Sequence, residues 1–315
     1  MLITTQYLSL GKTEIKISPI GQGIMQWGDI KFPGQPELEV DNEIRDEFYA
    51  SLTNGINFFD TAEMYGNGRS EICLGRLLKG RNENIVIATK FMPFPWRFSK
   101  GELRTALLKS LKRLGLIKVD LYQMHWPFPP VPIKTWMEEM SEAVADGLIR
   151  AVGVSNYSPS QTEMAYDALA IHGIPLASNQ VRYNLLHRRP EGNGLVQLCN
   201  KLGITVIAYS PLEKGILTGK YTVNNIPSGM RSWRYNKSYL DKIEPLIKIL
   251  REIGKDHAGM TPGQVSLNWL TSKGVLPIPG ARKKTQAKEN AEAMGWQLSI
   301  EEVARLDKIS ELVVH

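Results

Sequence analysis

Eight short apolar runs alternate with amphipathic stretches along the 315-residue chain, and this alternation predicts an α/β fold, a (β/α)8 TIM barrel. Several of those runs also stop abruptly at a polar side chain: INFFD at Asp60, NIVIATK at Lys90 and VDLYQMH at His125. Barrel strands have this form when they deliver chemistry to the rim at their C-terminal ends. Long stretches follow three of the strands: FMPFPWRFSKG after Lys90, WPFPPVPIKTW after His125, and PLEKGILTGKYTVNNIPSGMRSWRY after Tyr209-Ser210. Ordered loops of such length are usually functional, and these three are expected on the C-terminal face.

The opening segment LSLGKTEIKIS alternates around Gly11-Lys12 and reads as a β-hairpin outside the barrel. Strands are expected at 18–23, 56–60, 84–90, 119–125, 151–155, 177–180, 205–210 and 275–280. Helices are expected at 42–54, 69–79, 100–114, 135–146, 159–172, 192–202, 239–257, 262–273 and 284–294. Each shows apolar residues at three- and four-residue spacing, as Leu103, Leu107, Leu108, Leu111 and Leu114 do. Ser158-Pro159 and Thr261-Pro262 each place a capping residue before a proline at the first helical turn. A last helix over 299–310 opens on a Ser299–Glu302 capping box. No linker or shift in composition divides the chain, so one barrel domain over 1–315 is expected.

At 43% hydrophobic and 22% charged, the composition is that of an ordinary soluble enzyme. No apolar run approaches the length of a membrane span. The start, MLITTQYLSLGKTEIKISP, lacks the basic region and apolar core of a signal peptide. The expected location is the cytoplasm, with organellar import behind a removed transit peptide left open. Cys73 and Cys199 fall on apolar helix faces without the spacing of a metal or redox pair, so buried thiols and no metal site are expected. The net charge of +6 is scattered apart from Arg282-Lys283-Lys284. Nucleic acid is not an expected partner, since that would take a longer basic stripe with interleaved aromatics.

Asp60, Tyr65, Lys90 and His125, brought to one rim, make a proton-transfer set. A phenol ordinarily titrates near ~10. A lysine held close would stabilise the phenolate and pull that value down, and a carboxylate paired with the lysine would keep it charged and aimed. Each residue alone has a blander reading. Asp60 before Thr61 can cap a turn, Tyr65 can pack in a loop, Lys90 can snorkel from the rim, and His125 can be a core histidine. Their placement on successive strand ends argues for chemistry. Separately, Gly280-Ala281-Arg282-Lys283-Lys284 sets three positive charges at the start of a predicted helix, against the macrodipole. A phosphate docked there would reverse the balance.

Seven stretches stand in the order and spacing of one family: GINFFDTAEMYGNGRSE, ATKF, LYQMHWP, VGVSNYS, NQVRYNLLHR, AYSPLEKGILTGKY and IPGARKKTQAKENAEA. Along nearly its whole length the chain resembles an aldo-keto reductase, most of all plant and cyanobacterial members, pyridoxal reductases included. The resemblance implies NADPH-dependent reduction of a small aldehyde or ketone without a Rossmann domain. In agreement, GQGIMQWG is not a GxGxxG fingerprint.

The resemblance also assigns roles. Tyr65 would be the general acid, Lys90 would lower its pKa, Asp60 would pair with Lys90, and His125 would orient the carbonyl by a hydrogen bond. Gly23, Ile24 and Met25 would border the nicotinamide. Ser155, Asn156 and Gln180 would bond its carboxamide, and Tyr209 would stack on the ring. Ser210, Pro211, Leu212 and Gly215 would follow the pyrophosphate. Gly280, Ala281, Arg282 and Gln286 would meet the 2′-phosphate that distinguishes NADPH from NADH, with Glu289 and Asn290 beside the adenine. Trp126, then Trp27, Phe94 and Trp96, would touch the substrate; these aromatics suit pyridoxal or another flat or apolar aldehyde.

Two departures from the family stand out. Ile24-Met25 replaces a small residue followed by tryptophan, with Trp27 two residues later. Glu213 replaces a common glycine, and is expected to face solvent or to pair with Lys214 or Lys220. Two other classes share parts of the pattern. A cofactor-binding regulatory subunit, like the potassium-channel β subunits, would bind nicotinamide tightly with slow turnover. A Schiff-base aldolase built on Lys90 would be trapped by borohydride and need no cofactor.

Overall fold

The computed structural model describes residues 6–28, 40–81, 83–229 and 231–314. Residues 1–5, where the stretch judged free of a signal peptide begins, lie outside them, as does Met230 in the loop after Tyr209.

Strands β1 (Leu8–Ser9) and β2 (Lys16–Ile17) form the antiparallel hairpin. The barrel strands are β3 (Gln22–Gly23), β4 (Phe58–Asp60), β5 (Val86–Phe91), β6 (Val119–Met124), β7 (Ile149–Ser155), β8 (Leu176–Arg182), β9 (Thr205–Tyr209) and β10 (Leu276–Ile278). All pair in parallel with their neighbours in chain order. The Gly21 and Gly23 N–H groups donate to the Pro277 and Pro279 carbonyls at 2.9 and 3.1 Å, which brings the first strand round to the last. The result is the (β/α)8 barrel.

The helices are α1 (Asn42–Thr53), α2 (Arg69–Leu78), α3 (Glu102–Leu114), α4 (Ile133–Ala145), α5 (Pro159–Ala170), α6 (Arg189–Gly192), α7 (Leu195–Leu202), α8 (Arg231–Arg234), α9 (Lys237–Asp256), α10 (Pro262–Ser272), α11 (Lys284–Ala291) and α12 (Ile300–Val314). Capping boxes open α5 and α10 with Ser158–Gln161 and Thr261–Gln264. Ser299 and Glu302 exchange the same pair of bonds before α12. The helix expected over 192–202 begins later, as α7, with the short α6 before it. Gly194, in a left-handed conformation (φ 81°), is the N-cap of α7.

Strand alternation sorts the core. Phe58, Val86, Ala88, Leu121, Ala151, Ile207, Leu276 and Ile278 pack inside the barrel. The intervening positions, such as Phe59, Ile87, Tyr122 and Val152, face the helices. Each Val, Leu, Ile or Phe side chain among them, fully buried, contributes about 1.5–3 kcal/mol. The hairpin is more than an outlying ribbon, because Leu10, Ile15 and Ile17 join the interior cluster and close one end of it. At the other end the inward column turns polar. Asp60, Lys90 and Gln123 lie two residues beyond Phe58, Ala88 and Leu121, on the same faces of β4, β5 and β6.

Candidate active site

Lys90 is the centre of the polar layer. Its ammonium is fully buried and donates to Asp60 Oδ2 at 2.5 Å, to the Thr61 carbonyl at 2.7 Å and to the Tyr65 hydroxyl at 3.3 Å. The other carboxylate oxygen of Asp60 accepts from Gln123 Nε2 at 3.1 Å and Gln180 Nε2 at 2.8 Å. Every polar partner of Asp60 therefore holds it in one orientation, as a buried carboxylate requires. Tyr65 stands in the loop after β4, with the Lys90 ammonium 4.9 Å from its ring centroid. The His125 ring meets it edge to face at 5.9 Å. The structure brings together all four residues singled out by the strand ends.

The electrostatics are partly unexpected. Burial alone would push the Lys90 ammonium down, but Asp60 and then Tyr65 outweigh it and hold it above its ordinary value. Burial likewise acts on Tyr65 and pushes its phenol up from 10, against the downward pull of Lys90. Lys90 thus lowers the phenol's value as expected, but loss of solvation, with Asp60 adding to it, exceeds the attraction of the cation and the net shift is upward. His125 is held down to about 3, by burial first and by the Lys90 charge second, so its imidazole is neutral. Its Nδ1 is buried and has no hydrogen-bond partner among the described residues.

A second set of bonds ties the neighbouring strands to this layer. Ser155 Oγ donates to the Gln180 carbonyl at 2.8 Å. Asn156, in the left-handed region (φ 63°), donates to the His125 carbonyl at 3.1 Å and accepts from the Tyr209 hydroxyl at 3.0 Å. Gln180 turns its amide nitrogen to Asp60. Gly23 pairs in register with Asp60, Ile24 is buried, and Met25 is exposed.

After β9 the chain turns sharply. Ser210, Glu213, Lys214 and Gly215 all have positive φ, with Pro211 buried and Leu212 half-buried between them. Glu213 neither faces solvent nor pairs with Lys214 or Lys220. It is 1% exposed and bonds Arg182, Asn184 Nδ2 at 2.9 Å and the Tyr235 hydroxyl at 2.6 Å. Those partners outweigh burial and hold its carboxyl below the usual range. The lysines lose because Arg182, Asn184 and Tyr235 converge on the interior side of the turn.

The aromatics divide. Trp27 is buried at 1% exposure, packs edge to face on Phe48, and donates its indole N–H to Glu47 at 3.0 Å. It lies behind the rim rather than on its surface. Phe94 stacks on Trp96 at 4.5 Å and Trp126 on Phe128 at 5.5 Å, two ring pairs on the loops after β5 and β6. The first of these loops is fastened near Tyr65, because Glu63 accepts from both the Met92 N–H at 2.8 Å and Arg97 at 2.5 Å.

At the far edge, Ala281 is buried while Arg282, Lys283 and Lys284 are exposed. The Arg282 N–H donates to Gln286 Oε1 at 2.8 Å, and Lys283 caps α11 without a side-chain bond. Glu289 accepts from the Thr261 hydroxyl at 2.7 Å. Asn290 is 5% exposed, and its Nδ2 has no partner among the described residues. Cys73 and Cys199 are buried as expected, and burial pushes both thiols up, the latter to about 12.

Sequence reasoning missed Gln123 and Glu47. For Gln123 the signal was available: a polar residue inside LYQM, on the same strand face as Leu121. Glu47 looked like one more charge on an amphipathic helix.

A barrel whose C-terminal end holds a buried Lys–Asp pair against a tyrosine and a neutral histidine belongs to the class of α/β-barrel enzymes. Sequence comparison makes this specific. The aldo/keto reductase family model matches residues 19–311, and the chain belongs to that family. It is an NADP(H)-dependent oxidoreductase of the carbonyl-reducing kind. It is 38% identical over 306 residues to the chloroplastic pyridoxal reductase of Arabidopsis thaliana, covering 93% of this chain and 83% of that one. Among solved structures, it is similar to a thermostable aldo-keto reductase in complex with the inhibitor epalrestat. That match has a TM-score of 0.79 and 34% identity, and covers 96% of this chain and 99% of that one. An aldo-keto reductase from Klebsiella pneumoniae in complex with NADPH matches with a TM-score of 0.73 and 27% identity, covering 98% of this chain and 95% of that one. No helix among the described residues is long and apolar enough to cross a membrane.

Proposed function

We propose that this protein reduces a small, flat aldehyde, with pyridoxal and aromatic aldehydes as the leading class, and that Tyr65 gives the proton. The observation that carries the reading is the position of Lys90 Nζ, 2.5 Å from the Asp60 carboxylate and 3.3 Å from the Tyr65 hydroxyl. The chemistry supplied by NADPH when bound is hydride transfer to the carbonyl carbon. Tyr65, protonated at rest, releases its proton to the carbonyl oxygen as charge develops there. Lys90 stabilises the phenolate left behind, and Asp60 keeps Lys90 charged and aimed. His125, being neutral, offers a ring N–H to the same oxygen without adding charge. A proton from solvent then restores the phenol.

Three observations support a fit to NADP(H). Asn290 presents an unpaired buried amide nitrogen. Helix α11 begins without a side-chain cap beside three exposed cations. The turn at Ser210–Gly215 holds Ser210, Glu213, Lys214 and Gly215 at positive φ, anchored through Glu213. On this reading Ser155, Asn156 and Gln180 lie at the carboxamide and Tyr209 on the ring. Gly23, Ile24 and Met25 border it, and Ser210, Pro211, Leu212 and Gly215 run along the pyrophosphate. Gly280, Ala281, Arg282 and Gln286 take the 2′-phosphate, with Glu289 and Asn290 at the adenine. The stacked pairs Phe94–Trp96 and Trp126–Phe128 favour a planar substrate, with Trp27 supporting the wall from behind. The name of the Arabidopsis relative, pyridoxal reductase, points the same way.

Tyr65→Phe tests the assignment. It should bind NADPH as the wild type does and lose at least about a hundredfold in turnover of pyridoxal. Full turnover in that variant would remove Tyr65 as the proton donor.

A further inference from the structure

Glu47 on α1 is a buried carboxyl that the catalytic reading leaves unused. It is 1% exposed, and every polar group recorded on its carboxyl is a donor. Trp27 Nε1 donates to one oxygen at 3.0 Å; Gln22 Nε2 at 2.8 Å and Gln26 Nε2 at 3.4 Å donate to the other. Trp27 and Gln26 belong to the short 3-10 turn Met25–Gly28 that follows β3.

Gln26 continues the chain of contacts. Its amide nitrogen, with two hydrogens for three acceptors, also donates to the Ala281 carbonyl at 2.5 Å and to the Gly23 carbonyl at 3.2 Å, so that one hydrogen is shared. A Cβ on Gly280 would come within 3.0 Å of Gln26 Oε1, so the amide fills the space against that backbone. One carboxyl therefore sets the indole of Trp27 and, through Gln26, the backbone of Gly280-Ala281.

We propose that Glu47 is a positioning residue for cofactor binding: as the anion it fixes Gln26, and Gln26 holds the Gly280–Arg282 loop in the form that receives the 2′-phosphate of NADPH. This rests on the reading that Arg282 meets that phosphate.

Protonation acts on the arrangement in a definite way. A carboxylate accepts from three donors at once, whereas a carboxylic acid must aim its own O–H into a site lined with donors. The proton therefore displaces or turns an amide, and Gln26, with the longest bond, is the one to yield. Burial pushes the Glu47 carboxyl up to about 8, against the three bonds that pull it down, from Trp27, Gln26 and Gln22. Charged side chains on the packed elements do not set this value. Glu43, Arg45 and Asp46 on α1, Lys284 and Lys288 on α11, and Arg69 and Arg76 on α2 are all exposed. Asp46 and Lys284 pair with each other at 3.9 Å. Glu71 of α2 is buried but bonded to Thr89 and Arg113.

The loop is thus held loosely at neutral pH and firmly in mild alkali. A phosphate monoester, with its second pKa near ~6, is already about nine-tenths ionised at the bottom of that range, so its own titration adds little.

The test is isothermal titration calorimetry of NADPH and NADH against the wild type, Glu47→Gln and Gln26→Ala, between about pH 7 and pH 9. In the wild type the NADPH dissociation constant should fall by about three- to tenfold over that range, with its midpoint near 8. Glu47→Gln, nearly the same shape but unable to ionise, should show no step and bind NADPH about as weakly as the wild type does at the lower pH. Gln26→Ala, which leaves Glu47 in place, should lose the step as well; a role of Glu47 confined to packing would leave it there. A step that persists in either variant, or is missing from the wild type, overturns the proposal. Equal wild-type affinity for NADPH and NADH is a separate result and strikes the 2′-phosphate reading instead.

Discussion

Lys90→Met separates what holds this barrel together from what makes it react. Lys90 is fully buried and Asp60 is 2% exposed, so the substitution strands a carboxylate with only Gln123 and Gln180 as side-chain donors among the described residues. Removing one partner of a buried pair costs about 3–5 kcal/mol. At ~2.1 cal/mol/K per residue over 315 residues, that lowers the melting temperature by about 5–8 °C. Asp60→Asn added to Lys90→Met replaces the stranded charge by an amide and should restore most of that loss. Turnover should behave differently. On the proposed reading Tyr65 has lost its cation in both proteins, so aldehyde reduction stays at least about a thousandfold down in each. Calorimetric melting and steady-state reduction of pyridoxal on the three proteins make the comparison. A single variant as stable as the wild type would refute the buried-pair argument. Turnover that returned with stability would show that Lys90 serves the fold and not the chemistry.

Other perturbations address the remaining parts. Arg282→Ala should weaken NADPH binding by about tenfold or more, the worth of one charge-assisted hydrogen bond, and change NADH binding by less than about twofold; equal losses would remove the 2′-phosphate contact. Glu213→Ala frees the turn after β9 from Arg182, Asn184 and Tyr235. It should cost about 1–3 kcal/mol and speed proteolytic cleavage within 219–236, and an unchanged cleavage rate would refute the anchoring role. His125, held down to about 3, stays neutral throughout the physiological range. Its contribution to stability is present above the ordinary histidine value of 6.5 and is lost as pH falls from there toward 3. The kcat/KM profile should therefore show no limb near 6.5, and a limb that vanished in His125→Gln would contradict the neutral assignment.

The barrel was legible because its two periodicities are strong. Leu103, Leu107, Leu111 and Leu114 face the core at helical spacing, and Phe58 and Phe59 divide between the barrel interior and the helix layer. Asp60, Lys90 and His125, three of the four candidate catalytic residues, were legible for a related reason, since each closes an apolar run, and Tyr65 follows in the loop after the first of them. Residues whose role depends on a distant partner were hidden. Glu213 and Arg182 are 31 positions apart, and nothing in SPLEKG says that the carboxylate turns inward to meet β8. Trp27 looked like a pocket wall from its neighbours in sequence, but Glu47 on the following helix draws its indole inward. Side-chain direction in a turn is set by such long-range hydrogen bonds, and single-sequence patterns do not carry them.

The upward net shift of Tyr65 defines what Lys90 has to offset on the proposed reading. Before reaction the charges of Lys90 and Asp60 largely cancel, while Tyr65 and His125 are neutral donors. Such a site suits an uncharged aldehyde, and it keeps the proton on Tyr65 until the carbonyl oxygen claims it. Burial makes the phenol a weaker acid, which by itself would slow that transfer. The offset arises only as the proton leaves. A phenolate 3.3 Å from the Lys90 ammonium is attracted by about 5 kcal/mol at an effective dielectric constant of ~20, reduced by the repulsion of the more distant Asp60, and the neutral phenol does not enjoy that gain. Lys90 therefore favours the transition state over the resting state, which is the condition for an interaction to raise kcat rather than only tighten binding.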